Sequence, residues 1–328
     1  TYIIRKLFFF TNYVLAYDGE PRHFYDLEQA EDYFSWFVDR YNKTYTKHET
    51  KMRFQIFKEN LKTVNEDNYG LSSPVFGITK FSDLTVQEFT QIYTCLRHDD
   101  GRYDFPTYCD KKTEINEHVH DDAPDNFDWR EKNAVTSVKD QLNCGSCWAF
   151  GATGNIEGAY AIKSGHSIDL SPQQLVDCDG QSHGCDGGLP SLAFKSGGQE
   201  KEVDYKYIGY QGGCKFDKSK VQVSLKSCSA YKVNEEKAKQ LLYKKGPLSI
   251  AVDASSFKSY TGGIFPNCIY GRLNHAVLLV GYGSENGQDY WIVKNSWGED
   301  FGEKGYIRLE RGKNACARNI NLPLIEVG

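Results

Sequence analysis

The chain has 328 residues, a net charge of −5 and 14% aromatic residues. This aromatic content is enough for a packed core and excludes a chain that is disordered throughout. Nucleic-acid-binding proteins usually have a strong excess of basic residues, whereas this chain is mildly acidic, so no nucleic-acid partner is expected. The length allows one large domain with a smaller module, or two domains.

The charge divides the chain into two parts. Residues 1–122 carry 15 Lys and Arg against 21 Asp and Glu, whereas residues 123–328 carry 24 against 23. An acidic first third before a nearly neutral remainder predicts two modules with different roles.

The first residues predict export. Arg5 and Lys6 precede an apolar run that begins at Leu7 and continues to Ala16. This is the pattern of a secretory signal peptide, here residues 1–16, and the run is too short and too interrupted for the alternative, a membrane anchor. The ten cysteines agree, because disulfides form in oxidising compartments. We expect a protein of the secretory pathway, lysosomal or extracellular, with no membrane contact once the signal is removed.

Apolar residues recur at helical spacing in two segments of the first module. One helix is predicted from Glu28 to about Tyr41 and a second from Thr46 to about Asn68. The polar residues 97–122 predict an exposed linker.

Beyond the linker, a third helix is predicted over residues 147–163, with Gly165 as its C-terminal cap. After about residue 225, short apolar runs separated by Gly, Asn and Asp predict strands in a mainly β half. These runs are Leu248–Val252, Ala276–Val280, Tyr290–Val293 and Tyr306–Leu309.

The segment Cys144-Gly145-Ser146-Cys147-Trp148 is the first chemical signal. A C-x-x-C pair can be half of a zinc site, a redox pair, or a structural cysteine beside a reactive thiol. A zinc site needs a second pair of ligands, and the sequence has no other C-x-x-C, so no metal is expected. A redox pair normally ends a strand of a small βαβ unit, which this segment does not resemble. A C-x-x-C oxidoreductase therefore stays as a minor alternative.

Two downstream residues favour the reactive thiol. The pattern C-G-[SA]-C-[WY] surrounds the nucleophile of papain-type peptidases, which have a His and an Asn about 130–150 residues further on. His275 follows Cys147 by 128 residues, and Asn295 follows it by 148.

The chain resembles the papain-like cysteine peptidases over nearly its whole length after the signal peptide. The motifs that carry the resemblance are Gln141–Phe150, Asn274–Ala276 and Tyr290–Gly298. Within the family, the chain is most similar to invertebrate cathepsins of the L/F type, including those of insect viruses. The resemblance implies an α+β fold with a helical half over about 123–225 and a β-barrel-like half over about 226–328. It also implies a cysteine endopeptidase that needs no cofactor.

Chemistry and resemblance together suggest the catalytic roles. Cys147 would be the nucleophile, since the start of a helix favours its thiolate. His275 would pair with this thiolate and protonate the leaving amine, while Asn295 would orient the imidazole. Gln141 and the backbone N–H of Cys147 would stabilise the oxyanion, and Trp297 would shield the His–Asn contact from water.

The resemblance also implies a substrate cleft with an apolar pocket for the P2 side chain, so bulky apolar P2 residues are expected to be preferred. Glycine in the cleft wall would let the substrate backbone approach closely. The substrate-binding residues implied are Gly187, Gly188, Leu189, Pro190, Ala251, Leu273, Asn274, Trp297 and, at the floor of the pocket, Asn321.

Three disulfides are implied by the resemblance. They are Cys144–Cys185, Cys178–Cys214 and Cys268–Cys316. Cys95, Cys109 and Cys228 remain, and an odd number leaves at least one thiol over or an intermolecular bond. A Cys95–Cys109 bond and a bond from the N-terminal region to Cys228 are both compatible with the sequence.

Residues 17–122 resemble a cathepsin L-type propeptide that blocks the cleft until it is removed near Ala123. A helical signature and the motif Gly77–Asp83, with Thr79 in place of Asn, carry this resemblance. The signature residues are Glu49, Arg53, Phe57, Asn60, Val64 and Asn68. Acidification should loosen this acidic segment. Asn42 begins a glycosylation sequon within it.

The implied partners are protein and peptide substrates, the chain's own propeptide and cystatin-like inhibitors, and the protein is expected to be monomeric. Two residues depart from the family pattern. Leu142 stands where the family has Gly, and we expect it to shift the loop beside Gln141 and lower turnover. Gly151 stands where the family has Ser. Leu142 also supports the main alternative, a catalytically silent relative that acts as a binding or inhibitory protein.

Overall fold

The computed structural model describes residues 18–94, 96, 109, 111–112, 122–266, 273–313 and 320–327. For residues 111–112, 227, 229–232 and 320–327 it describes the backbone alone. The predicted signal peptide, most of the predicted linker and the predicted Cys268–Cys316 pair lie outside the described residues, as does Cys95.

Three helices form the N-terminal module. They are α1 (Ala30–Arg40), α2 (Lys47–Asn68) and α3 (Val86–Tyr93). The first two confirm the predicted helices, and Thr46 caps α2 by accepting a hydrogen bond from the backbone of Glu49. The short α3 was not predicted, although Thr85 and Glu88 form a capping box at its start.

The helical half is built around α4 (Cys147–Ser164), which ends at Gly165 with a φ of 75°, close to the predicted bounds. Two shorter helices, α5 (Pro172–Cys178) and α6 (Pro190–Ala193), belong to the same half. Most of α4 is buried, so it is a core helix and not a surface helix.

Two sheets complete the fold. One has the order β1 (Lys111–Lys112), β4 (Val223–Val233) and β10 (Ile320–Val327), with β3 (Gly198–Gln199) also on β4. The other has the order β2 (Phe127–Asp128), β7 (His275–Glu285), β8 (Gln288–Lys294), β9 (Tyr306–Glu310) and β6 (Ile264–Phe265), with β5 (Leu248–Val252) also on β7. The four predicted strands are confirmed, and three of them are longer than predicted. A further helix, α7 (Glu235–Lys245), was missed because most of its residues are charged.

The N-terminal module shares a hydrophobic core with the β half. Phe76 contacts Phe265 edge to face, with ring centroids 5.4 Å apart. Phe76 also forms an antiparallel bridge with Tyr260, and the N–H of Gly77 donates to the carbonyl of Ser259. The helical module is therefore docked on the β half by both backbone and side-chain contacts. Within the described ranges, no helix is both long and apolar enough to span a membrane.

Candidate active site

Cys147 is the first residue of α4 and is fully buried. Its Sγ lies outside the disulfides of the described chain and accepts a hydrogen bond from the backbone N–H of Ala276, 3.4 Å away. Because Ala276 follows His275 at the start of β7, this contact holds the start of the helix against the start of the strand. The positive end of the helix dipole lies at this sulfur and favours its anionic form.

His275 is buried between Asn295 and Trp297. Its Nε2 lies 2.8 Å from Oδ1 of Asn295, and because an amide oxygen only accepts, Nε2 carries the proton. The Trp297 ring stacks on the imidazole, with centroids 4.6 Å apart at 25°. Nδ1 has no hydrogen-bond partner among the described residues. The contact to Asn295 thus leaves Nδ1 available for a proton shared with a sulfur.

Gln141 is held by contacts between the two halves. Its backbone N–H donates to the carbonyl of Ser296, and Asp140 bridges Trp297 in an antiparallel pair. The Ser296 hydroxyl donates to Oε1 of Gln141 at 2.7 Å, and Nε2 donates to the carbonyl of Cys144 at 3.1 Å. A side-chain amide has two N–H groups, so one is left to donate to an oxyanion.

The two residues that depart from the family pattern lie beside this site. Leu142 has a left-handed φ of 54°, is 49% exposed, and packs its side chain over Gly209. A Cβ at Gly151 would lie 2.9 Å from Oγ of Ser249, so the hydroxyl of Ser249 occupies the space that a larger residue would need.

Gly187 and Gly188 are the residues predicted for one wall of the substrate cleft. A Cβ at Gly188 would lie 2.6 Å from the Ser182 side chain and 2.8 Å from the ring of Trp148, so there is no room for one. Leu96 of the N-terminal module forms a parallel bridge with Gly188. The wall is therefore covered by the protein's own chain.

Leu96 also contacts residues that were predicted to form the P2 pocket or to lie beside it. Its N–H donates to the carbonyl of Asn274 at 2.9 Å. Its side chain belongs to the same buried apolar cluster as Leu189, Ala251 and Ala276. Of the other predicted pocket residues, Pro190 is buried and Leu273 half-buried, while the side chain of Asn321 lies outside the described residues.

Trp297 is covered by aromatic side chains from the N-terminal module. The rings of Phe81, Phe89 and Tyr93 contact it with centroid distances of 5.6, 5.2 and 6.2 Å. Thr79, the residue that departs from the propeptide motif, donates its hydroxyl to the carbonyl of Lys258 at 2.6 Å. The N-terminal module therefore contacts both Trp297 and the predicted cleft wall at Gly188.

The signature residues of α2 position the motif that covers Trp297. Arg53 pairs with Glu88 at 2.9 Å and donates to the carbonyl of Asp83. Asn60 donates to the carbonyl of Ser82, and Asn68 to that of Phe76. These polar residues therefore hold the loop that follows α2 in a fixed shape.

The structure has the disulfides Cys144–Cys185 and Cys178–Cys214, the same pairs that the resemblance implies. It pairs Cys109 with Cys228, which decides between the two alternatives that the sequence left open. Among residues with described positions, no group of three or more His, Cys, Asp and Glu could hold a metal ion.

Two contacts of the site were not predicted. Ser296 was not expected to hold Gln141, because no local pattern links residues 155 positions apart. Leu96 was not singled out either, although it is an apolar residue just before the polar linker. Both contacts join segments that are distant in the chain.

Comparisons with known proteins agree with this geometry. Residues 123–323 match the model of the papain family of cysteine proteases, and residues 34–89 match the cathepsin propeptide inhibitor domain. The chain is 46% identical to the viral cathepsin of Adoxophyes honmai nucleopolyhedrovirus over 91% of each chain. It is 42% identical to that of Choristoneura fumiferana nuclear polyhedrosis virus, over 95% of this chain and 96% of the relative.

Solved structures of precursors are also similar. Digestive procathepsin L2 from the larval midgut of Tenebrio molitor superposes with a TM-score of 0.81 at 33% identity, covering 90% of this chain and 99% of the other. A recombinant stem bromelain precursor gives 0.80 at 33% identity, covering 90% and 98%. The predicted α+β, papain-like fold is thereby confirmed, and the chain belongs to the papain family of cysteine proteases as a cathepsin-like endopeptidase precursor that carries its own propeptide inhibitor domain.

Proposed function

We propose that the protein is a secreted or lysosomal endopeptidase made as a zymogen. Residues 1–16 are the signal peptide, 17–122 the inhibitory propeptide and 123–328 the peptidase domain. The observation that carries the catalytic assignment is the arrangement around His275. Its Nε2 contacts Asn295, and the backbone N–H of the next residue contacts Sγ of Cys147.

In this mechanism the Cys147 thiolate attacks the carbonyl carbon of the scissile bond and forms a tetrahedral oxyanion. The second N–H of Gln141 and the backbone N–H of Cys147 stabilise that charge. The His275 imidazolium donates its proton to the leaving amine, which yields a thioester. Neutral His275 then removes a proton from water, whose oxygen displaces the thiolate and releases the carboxylic acid. Asn295 keeps the imidazole in one orientation throughout.

Labelling with a cysteine-directed epoxide inhibitor, read by mass spectrometry, tests this function. We expect one adduct on Cys147, formed only after incubation at about pH 4.5 with a reducing agent has removed the propeptide, since the bound propeptide covers the thiol. The Cys147→Ala variant is the matched control and should take no label. Processing by an added protease in the presence of dithiothreitol, without any label on Cys147, would contradict the proposal and favour the alternative, a catalytically silent binding or inhibitory protein.

The pocket beside Leu189 supports a preference for bulky apolar P2 residues. In the zymogen the apolar side chain of Leu96 belongs to the same cluster as Leu189 and Ala251, and each of these residues is buried or half-buried. A charged side chain would be buried there without a counterion, which is costly. We further propose that the enzyme is monomeric, that cystatin-like inhibitors are among its partners, and that exposed Asn42 carries a glycan.

A library of fluorogenic peptides that differ only at P2 measures this preference. We expect kcat/KM for Leu or Phe at P2 to exceed that for Arg by about tenfold or more, because the pocket lining is apolar. A peptide with Ala at P2 serves as the control for side-chain size. Arg at P2 outperforming Leu and Phe would show that the pocket assignment is wrong.

The exposed position of Leu142 supports an intact oxyanion donor. Replacing Leu142 with Gly should change kcat/KM less than tenfold, whereas Gln141→Ala should lower kcat about 100- to 1,000-fold by removing the donor. Leu142→Ala keeps the left-handed backbone strain, so Gly but not Ala should raise the free energy of unfolding, by about 1 kcal/mol. Steady-state kinetics and urea unfolding check these effects. A tenfold or larger gain in turnover for Leu142→Gly would instead mean that Leu142 displaces Gln141.

Acid release of the propeptide involves Glu88, among other groups. Burial raises the pKa of Glu88, but hydrogen bonds from Thr85 and the Arg53 guanidinium outweigh it, and the net pKa lies below the ordinary value of 4.5. A carboxyl whose pKa is lower in the folded state stabilises that state fully above its ordinary pKa. This stabilisation is lost as the pH falls below 4.5 and through the lowered pKa.

The Glu88→Gln variant should therefore be less stable at pH 7 and lose less stability on acidification. We would measure Tm at pH 7 and at about pH 3.5 in a Cys147→Ala background, which cannot cut itself. Glu59→Gln, at an exposed position of α2, is the matched control. If Tm falls between pH 7 and about pH 3.5 by the same amount in the Glu88→Gln variant as in its Cys147→Ala parent, the Arg53–Glu88 pair has no part in the acid response.

A further inference from the structure

The disulfide between Cys109 and Cys228 joins two parts of the chain that are expected to separate on activation. Cys109 lies between the segment matched by the propeptide inhibitor domain, 34–89, and the peptidase domain, 123–323. Cys228 lies in β4 of the peptidase domain, and both cysteines are only 7% exposed. The disulfide therefore connects the inhibitor side of the chain to the enzyme.

The backbone beside this disulfide is also part of the peptidase sheet. β1 pairs with β4 in parallel, with Lys111 opposite Ser229 and Lys112 opposite Ala230. β10 pairs with the other side of the same strand. The residues just after Cys109 thus add an edge strand to the enzyme, which ties this stretch to the peptidase domain in addition to the covalent bond.

We propose that the Cys109–Cys228 disulfide keeps the propeptide covalently attached to the peptidase domain after the chain is cut near residue 122. This rests on the proposed function, which places that cut on the C-terminal side of Cys109. Hydrolysis there breaks the main chain but leaves the disulfide intact. The product is a two-chain molecule, and the inhibitor leaves it only when the disulfide is reduced or when a second cut falls between Leu96 and Cys109.

A tethered propeptide continues to inhibit. Leu96, whose backbone pairs with Gly188 and Asn274 in the cleft, precedes Cys109 by 13 residues. Thirteen residues span at most about 45 Å, so a loosened propeptide stays near the cleft. Short tethers give effective concentrations of the order of millimolar, and dilution does not change this value. After a cut at residue 122 alone, the tethered propeptide therefore binds the cleft again.

Reduction releases the inhibitor by thiol–disulfide exchange. The thiolate of a small thiol attacks one sulfur of the Cys109–Cys228 bond, forms a mixed disulfide and displaces the other cysteine as a thiolate, which takes up a proton. A second thiol attacks the mixed disulfide and frees the remaining cysteine. Two cysteine thiols form, and two molecules of the small thiol are oxidised to one disulfide. Activation is thereby coupled to reducing conditions as well as to acid.

Mass measurement on the full-length Cys147→Ala zymogen tests the attachment. Limited digestion with a glutamyl endopeptidase would be directed at Glu114 and Glu117, which lie between Cys109 and the peptidase domain. After thiol blocking with iodoacetamide, we expect one species under denaturing, non-reducing conditions, and two after a phosphine reductant is added. The same digestion of a Cys147→Ala variant that also carries Cys109→Ser and Cys228→Ser should give two species without reductant.

Two separate chains from the Cys147→Ala zymogen under non-reducing conditions, with Cys109 and Cys228 both alkylated, would overturn the proposal. If the variant with both serines does not fold, the comparison with and without phosphine decides alone. The measurement needs no peptidase activity, so its failure differs from failure of the proposed function, which would appear as cut and fully reduced wild-type protein without label on Cys147.

A kinetic comparison tests the inhibitory consequence. After cutting, the gain in peptidase activity on adding dithiothreitol should be about tenfold or more larger for the wild type than for the Cys109→Ser, Cys228→Ser variant, since only the wild type loses a tether. The variant also corrects for any effect of the reductant on Cys147. Equal gains would show that the attached propeptide does not inhibit.

Discussion

The active site depends on the pairing of two loops, one from each half of the peptidase domain. The N–H of Gln141 donates to the carbonyl of Ser296, and the N–H of Gly298 donates to that of Lys139. This short antiparallel pair fixes Gln141, the proposed oxyanion donor, on one half relative to Asn295 on the other. The contact between the start of α4 and the start of β7 does not by itself hold Gln141 in position relative to Asn295.

Buried charges behind the loops reinforce this pairing. Lys139 pairs with Glu157 of α4 at 3.2 Å. Burial alone would lower the pKa of Lys139, but Glu157 and Asp169 outweigh it and raise that pKa. Lys294, which precedes Asn295, has a pKa lowered to about 8 by burial and contacts Thr136 at 3.1 Å. Removing one partner of such a group leaves an uncompensated buried charge, so the loops are held by a network that tolerates little change.

The propeptide inhibits by using the surfaces on which catalysis depends. Trp297 stacks on His275 on one side and receives Phe81, Phe89 and Tyr93 on the other. In the β half, Lys258 donates to the carbonyl of Leu84, and burial lowers its pKa to about 8. Because this pKa lies below the ordinary value of 10.5, the penalty on the folded zymogen builds up as the pH falls from 10.5 to about 8 and stays constant at lower pH. Lys258 therefore does not titrate in the acid range, whereas Glu88, whose pKa is lowered, does.

Local patterns in the sequence were sufficient for the family and for the helices of the propeptide, and they singled out the candidate catalytic residues, which the fold brings together. The segment around Cys147 and the spacing to His275 and Asn295 are specific because each residue type is demanded by the chemistry. Helices α1 and α2 followed from apolar periodicity, which reflects the single face that each buries. The charged helix α7 and the short α3 did not follow, since neither has a long apolar stripe.

Contacts between distant segments were decided by the tertiary structure alone. The sequence left Cys109 and Cys228 open because disulfide pairing depends on which strands become neighbours, and here β1 lies beside β4. It gave no sign that Ser296 would hold Gln141 or that Leu96 would enter the cleft, because each pair is separated by 90 residues or more. The chemistry and the presence of an inhibitory propeptide were predicted from short motifs, whereas the contacts by which the propeptide covers the site depend on packing between distant segments that only the folded chain shows.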